Sequence, residues 1–164
     1  MLKIREATAS DGEAIWNIFH AVVAPGDTYT FDPAISRDEA LAYWFHPSHR
    51  CYVGEREGEV VATYILKANQ PALGSHVANA AFMVSPNARG GGVGHSLGEH
   101  SLNEARRLGF RAMQFNFVVS TNKPAVRLWQ RLGFTIVGTL PAAFRHPHKG
   151  YVDAYVMFRS LTEA

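Results

Sequence analysis

Four of the fourteen glycines in this 164-residue chain fall between positions 90 and 94. The stretch reads Arg89-Gly90-Gly91-Gly92-Val93-Gly94-His95-Ser96. Ahead of it, residues 76–84 are strongly apolar and of strand length. Behind it, Val93, Leu97, Ser101, Ala105 and Leu108 recur on one face of a helix. A strand that enters a helix through glycines leaves the first helical amides without partners. It also aims the positive end of the helix dipole at the loop. Without side chains the backbone can approach an anion closely. The segment therefore predicts an anion site of pyrophosphate type, with Arg89 adding a charge-assisted contact.

Two nucleotide motifs are excluded by the neighbours. A Walker A loop needs a lysine after its last glycine, and here that position is His95. A dinucleotide fingerprint begun at Gly90 needs a glycine at 95, and one begun at Gly92 needs a glycine at 97. Those positions hold His95 and Leu97.

The rest of the chain reads as alternating short elements. Residues 2–7 predict a strand. Ser10 with Glu13 is spaced as a capping box for a helix carrying Ala14, Ile15, Ile18, Phe19 and Val22. Pro25-Gly26 ends it, and a loop with two aromatics, Tyr29 and Phe31, follows. Ser36 with Glu39 opens a second helix through Trp44. Residues 51–55 and 60–66 predict an antiparallel hairpin around Glu57-Gly58. Residues 112–119 predict a buried strand. A helix starts at Asn122-Lys123-Pro124 and stops at Gly133. Residues 135–140 and 151–159 predict a last antiparallel pair around a loop rich in proline and histidine. The simplest solution is α/β, one domain over 1–164. It has a single mixed, mostly antiparallel sheet flanked by helices, with a parallel pair across the helix that follows the glycines.

Composition sets bounds and little more. A chain of this length buries about 70% of its unfolded surface and holds its own core. A net charge of +2 permits an anionic ligand but brings no basic run for nucleic acid. A single cysteine, Cys51, forbids an internal disulfide and suits a reducing compartment. No leader-like or membrane-length apolar run is seen, so the expectation is a cytoplasmic protein without a membrane partner. His46-Pro47-Ser48-His49 and His146-Pro147-His148 lack cysteine or carboxylate partners at ligand spacing, and no metal is expected.

Three asparagines lie in apolar surroundings. Asn79 is flanked by Ala78, Ala80, Ala81 and Phe82, Asn116 by Phe115 and Phe117, and Asn122 opens a helix. An unpartnered buried amide costs about 1–3 kcal/mol. These amides either pair with one another and cap backbone, or they line the substrate end of a cleft.

The glycine stretch, with its leading Arg89, resembles the pyrophosphate signature Arg/Gln-x-x-Gly-x-Gly/Ala of the GNAT N-acetyltransferase superfamily. Asn122, Ala125, Leu128, Trp129, Leu132, Gly133 and Phe134 resemble its second signature, an asparagine before a helix ending in Leu-Tyr-x-x-x-Gly-Phe. The resemblance covers nearly the whole chain. It implies the GNAT fold, with the parallel strands splayed around acetyl-CoA as co-substrate. It places the backbones of Met83, Val84 and Ser85 along the pantetheine arm, with an N–H near Val84 on the thioester oxygen. Residues Arg89, Gly90, Gly91, Gly92, Val93, Gly94, His95 and Ser96 would hold the pyrophosphate. Asn122 and Trp129 would line the arm, with Asn122 also at the reacting centre, and Arg131 would reach the 3′-phosphate.

Many relatives carry a tyrosine as general acid where this chain has Trp129, whose indole cannot titrate. Water, another residue such as Tyr151, Tyr155 or a loop histidine, or positioning alone then completes the proton route. Positioning combined with water is the expected one.

Asn79-x-x-Phe82 with Asn116 and Asn122 resembles the acetyltransferases of proline analogues such as azetidine-2-carboxylate. By that resemblance Asn79 and Asn116 bind the substrate carboxylate and Phe82 its ring. The segment Thr28-Tyr29-Thr30-Phe31 resembles the acceptor loop of phosphinothricin-type enzymes. The function implied is direct acetyl transfer to a small amino-acid-like amine in a ternary complex. A peptide N-acetyltransferase and a non-catalytic acyl-CoA sensor are the alternatives. A homodimer would supply any further wall of the site.

Overall fold

The computed structural model describes residues 1–163. Seven strands form one sheet in the order β1-β2-β3-β4-β5-β7-β6. The elements are β1 (Lys3–Glu6), α1 (Gly12–Val23), α2 (Arg37–Trp44), β2 (Arg50–Arg56), β3 (Glu59–Ala68), β4 (Val77–Val84), α3 (Val93–Arg107), β5 (Ala112–Val119), α4 (Lys123–Arg131), β6 (Thr135–His146) and β7 (Gly150–Ser160). The order matches the expectation. The α/β class with one splayed parallel pair is borne out.

The two sheet faces are covered by different helices because strand side chains alternate. Ile15, Phe19 and Val22 of α1 and Trp44 of α2 pack on Val53, Ile65 and Met83. On the other face, Leu97 and Leu102 of α3, Trp129 of α4 and Leu132 just past its end pack on Tyr64, Ala78, Phe115 and Val118. Gly98 lets α3 and α4 approach: a Cβ there would stand 2.4 Å from Leu132 Cδ1.

Two local expectations are corrected. The box that starts the first helix is built from Thr8 and Asp11, not Ser10 and Glu13. The Asp11 carboxylate accepts from the Thr8 amide at 2.7 Å, and residues 9–11 form a 3₁₀ turn before α1. The spacing rule was satisfied twice, one residue pair apart, and a neighbouring cation decided between them. Arg5 grips Asp11 with two bonds of 2.8 and 2.9 Å. The last hairpin is also longer than expected. β6 runs through Pro141 to His146, so only residues 147–149 make the turn. The ladder tolerates this because its register slips between Leu140 and Phe144.

The Arg5 guanidinium holds the Asp11 carboxyl down at about 2, from 3.8. A depressed carboxyl stabilises the fold above its unfolded value and loses that contribution as pH falls through its folded value. Asp11 therefore contributes about 1–2 kcal/mol above pH ~4, discounted for the partly exposed arginine, and nothing below pH ~2. In acid thermal melts, the Tm gap between the parent protein and Asp11→Asn should close over that window. A gap that persists at pH 2 would contradict it.

Candidate active site

β4 and β5 pair in parallel only at Val77↔Ala112 and Ala78↔Met113. Beyond those residues the strands separate. The gap opens into a cleft of about 920 Å³ lined by both strands, the glycine loop, the start of α4 and the 28–31 segment. A second recess of about 580 Å³ adjoins it, lined by Asp27, Thr28, Arg89, Thr121, Asn122, His146 and Lys149 among others. Val22, Thr28, Arg89, Asn122 and Pro124 line both.

Strand parity decides which backbone groups face the gap. The Ser85 amide donates to Val61 C=O at 2.8 Å, and Val77 C=O accepts from Asn69 at 2.8 Å. With the antiparallel register Ala62↔Val84 through Ala68↔Ala78, the odd residues of β4 bond to β3. The even residues Ala80, Phe82 and Val84 turn their N–H and C=O toward the gap. Of the three residues expected along a cofactor arm, Val84 alone presents its backbone there. The backbone of Met83 and the amide of Ser85 are spent on β3, and the Ser85 C=O accepts from the Ala88 amide at 2.9 Å.

The glycines serve different ends. Gly90 and Gly92 have φ of +84° and +74°, and Gly92 is the left-handed N-cap of α3. Beside both, the space is open: an added Cβ would meet nothing within 4 Å. Gly94 is a packing glycine, since its Cβ would stand 3.2 Å from Leu128 Cδ2 of α4. At Gly91 a Cβ would lie 3.0 Å from the Arg56 guanidinium. The Ser96 amide already donates to Gly92 C=O at 3.0 Å, so it is not a free donor. The unpaired helix-start amides are those of Val93, Gly94 and His95. Arg89 reaches the cleft and makes no ion pair among the described residues. His95 faces Glu99 at 3.5 Å, and Arg131 lines the cleft. These groups suit a pyrophosphate.

At the narrow end, the face shared with α1 and α2 carries an amide cluster. Asn69 Oδ1 accepts from Asn116 Nδ2 at 2.7 Å and from Asn79 Nδ2 at 3.3 Å. Asn116 Oδ1 accepts from Gln114 at 3.0 Å, and Asn79 Oδ1 from the Ala80 amide at 2.8 Å. Asn79 and Asn116 each have two side-chain N–H donors and spend one on Asn69, so each keeps one to offer. Asn122 caps α4, accepting from the Ala125 amide at 3.4 Å. Its Nδ2 has no partner among the described residues, and the residue lines the cleft. Lys67 lies opposite Asn79 in the ladder, with Nζ 5.7 Å from the centre of the Tyr43 ring and no acidic partner among the described residues.

Phe82 is placed differently from expectation. Residues 79 and 82 lie three apart on a strand, so they point to opposite faces. Phe82 stacks on Tyr64 at 5.3 Å and packs at 4.8 Å on Trp129, which sits 4.7 Å from Phe115. It walls the slot from the α3–α4 side, away from Asn79. Tyr29 and Phe31, 6.0 Å apart, line the opposite side with Tyr43. The Tyr29 hydroxyl donates to Phe82 C=O and accepts from the Phe82 amide at 3.2 Å. Burial pushes that phenol up to about 12.

A model of the acetyltransferase (GNAT) family matches residues 15–134. The chain belongs to that family. It is 34% identical over 159 residues to the N-acetyltransferase aca1 of Schizosaccharomyces pombe, covering 85% of this chain and 76% of that protein. A GCN5-related N-acetyltransferase from Kribbella flavida is 44% identical with a TM-score of 0.93, and 97% of each chain is covered. A phosphinothricin acetyltransferase from Sinorhizobium meliloti, solved in complex with acetyl-CoA, is 25% identical with a TM-score of 0.84. That likeness covers 99% of this chain and 90% of that one.

Within this GNAT domain, the groups that sequence reasoning missed are Asn69, Gln114, Lys67 and Tyr43. Asn69 falls in a loop by sequence. Only the register that carries β3–β4 pairing one step further brings it beside Asn79 and Asn116. Cys51 lies outside the cleft lining, and burial pushes its thiol up to about 12. His146 is the last residue of β6 and holds the turn that follows: its Nδ1 accepts from the amides of His148 and Lys149 at 3.1 and 3.2 Å. No helix among the described residues is long and apolar enough to cross a membrane.

Proposed function

We propose that this GNAT enzyme transfers the acetyl group of acetyl-CoA directly to a small amino-acid-like amine. The observation that carries the reading is the Asn69–Asn79–Asn116 cluster. It offers two spare N–H donors beside Lys67 at the closed end of the splayed slot, which suits a carboxylate on the acceptor. Tyr29, Phe31 and Tyr43 give the acceptor's apolar part a wall.

In this reading Arg89 and the amides of Val93, Gly94 and His95 hold the pyrophosphate, with Arg131 on the 3′-phosphate. The Val84 N–H faces the thioester oxygen, where negative charge develops as the amine adds. The N–C bond forms and the C–S bond breaks. The amine releases its proton to water, and the leaving thiolate takes one from water. Trp129 packs among Phe82, Phe115 and Phe134 and carries no titratable proton. Rate enhancement then rests on alignment and on the oxyanion contact. The single cysteine lies outside the cleft, which favours direct transfer over an acyl-enzyme.

Thiol release from acetyl-CoA across a panel of amines tests the reading. Turnover with proline analogues and other small amino acids is expected. Turnover with peptides alone would assign the site to peptide acetylation, and tight acetyl-CoA binding without turnover would mark a sensor. Asn116→Ala should raise the acceptor KM about tenfold, one lost hydrogen-bond donor to a charged group. Its acetyl-CoA Kd, read by calorimetry, should not move; a parallel loss of cofactor affinity would remove Asn116 from the acceptor side.

A further inference from the structure

Within residues 88–95, every residue except Gly91 lines the cleft. Gly91 turns the other way. A Cβ built there would stand 3.0 Å from an Arg56 guanidinium nitrogen. Arg56 ends β2, and its half-buried side chain lies against the back of the glycine loop, in the space a side chain at 91 would take. Nearer carboxylates do not hold it. Glu59 is its ladder partner and Glu57 its neighbour in the turn, yet Arg56 makes no ion pair among the described residues. Glu55 is committed to Arg5 at 2.6 Å. Residues 55–59 thus set three carboxylates and one cation beside an anion site, and the cation is the group that meets the loop.

We propose that Arg56 is a positioning residue for the cofactor's pyrophosphate, the second cation of that site after Arg89. It acts across the loop, through its charge and not by contact. Arg89 reaches the cleft itself, and Arg56 stands behind, so the phosphates meet positive charge on both sides of one backbone. The same charge shields them from Glu57 and Glu59. Gly91 is glycine on account of Arg56 and not of its own backbone: its φ lies outside the left-handed region that Gly90 and Gly92 occupy. This rests on the reading of the loop as a pyrophosphate site.

Calorimetry with acetyl-CoA at two salt concentrations tests the assignment. Arg56→Gln should weaken binding about fivefold at about 0.1 M salt and less than about twofold at about 1 M, because the Debye length falls from about 10 Å to about 3 Å. Gly91→Lys in the Arg56→Gln background returns a cation to the same space from the loop side. It should restore affinity to within about twofold of the parent. The loss in Arg56→Gln should be the same with 3′-dephospho-acetyl-CoA, which keeps the pyrophosphate. Unchanged affinity at low salt, a loss that survives high salt, or a failed rescue would overturn the assignment. A loss confined to the 3′-phosphorylated cofactor would move the contact to the 3′-phosphate and would also overturn it. Gly92→Val separates this from the reading beneath it. If that variant binds weakly and Arg56→Gln binds like the parent, the Arg56 assignment falls alone. If the parent does not bind acetyl-CoA, or Gly92→Val binds it as tightly as the parent, both fall together.

Discussion

Gly92→Val is expected to weaken acetyl-CoA binding about a hundredfold while lowering Tm by only a few degrees. Gly92 holds φ +74° as the N-cap of α3. An L-residue in that region costs about 1–2 kcal/mol, and a β-branched one lies at the upper end. No neighbouring atom would be struck, since an added Cβ meets nothing within 4 Å. The cost is therefore conformational, and the chain relieves it by turning the 90–94 backbone. That rotation moves the Val93, Gly94 and His95 amides out of line. Losing a hydrogen bond to a charged group removes about 1.5–3 kcal/mol, which together with the strain gives two decades of affinity. Gly58→Val is the matched control. Gly58 has φ +83° in the β2–β3 turn and the same open surroundings. It should lose the same few degrees in a thermal melt and leave the calorimetric Kd unchanged. Equal affinity in the two variants would show that the glycine loop does not hold the cofactor.

Trp44→Ala should give the largest loss of stability, about 3–5 kcal/mol. For a chain of this size that is roughly 6–20 °C in Tm. Trp44 is fully buried under α1. Its indole N–H donates to Thr63 Oγ1 at 2.9 Å, and Thr63 donates in turn to Tyr52 C=O at 2.8 Å. Truncation leaves a cavity and a buried hydroxyl short of a partner. The ring also meets Phe19 edge-on at 5.8 Å, and Phe19 touches Phe31 of the acceptor loop at 5.0 Å. The acceptor KM should therefore rise together with the fall in Tm, while acetyl-CoA affinity, which the proposed function assigns to the other side of the slot, stays. A Tm loss below about 3 °C would contradict the packing assigned to Trp44.

Element order was legible because each element carries its own period and its own punctuation. Ser36 and Glu39 cap α2 as their spacing requires, and Gly109 and Gly133 have the positive φ of helix ends. Asn122 caps α4 from the predicted position. Where two local signals competed, as at Ser10–Glu13 and Thr8–Asp11, a residue outside the window settled the matter: Arg5, brought near by β1. At the site, residue types were legible and their partnerships were not. Asn79 and Asn116 are 37 positions apart in sequence. Their common bond to Asn69 exists only once β3, β4 and β5 lie side by side.

The sequence by itself determined the strand–glycine–helix turn, the arginine before it, the order of eleven main elements and the family. These are local properties, set by backbone freedom, periodicity and contiguous motifs. The tertiary structure alone decided which face each side chain takes and which backbone groups remain unpaired. Pleating put Phe82 on the face opposite Asn79. Ladder parity spent the amides of Met83 and Ser85 on β3 and left Val84 open. The early end of the β4–β5 pairing made the slot, and a tyrosine from a distant loop came to bond the Phe82 amide within it. A hydrogen bond between strands depends on register, and register is a relation between segments that neither segment contains.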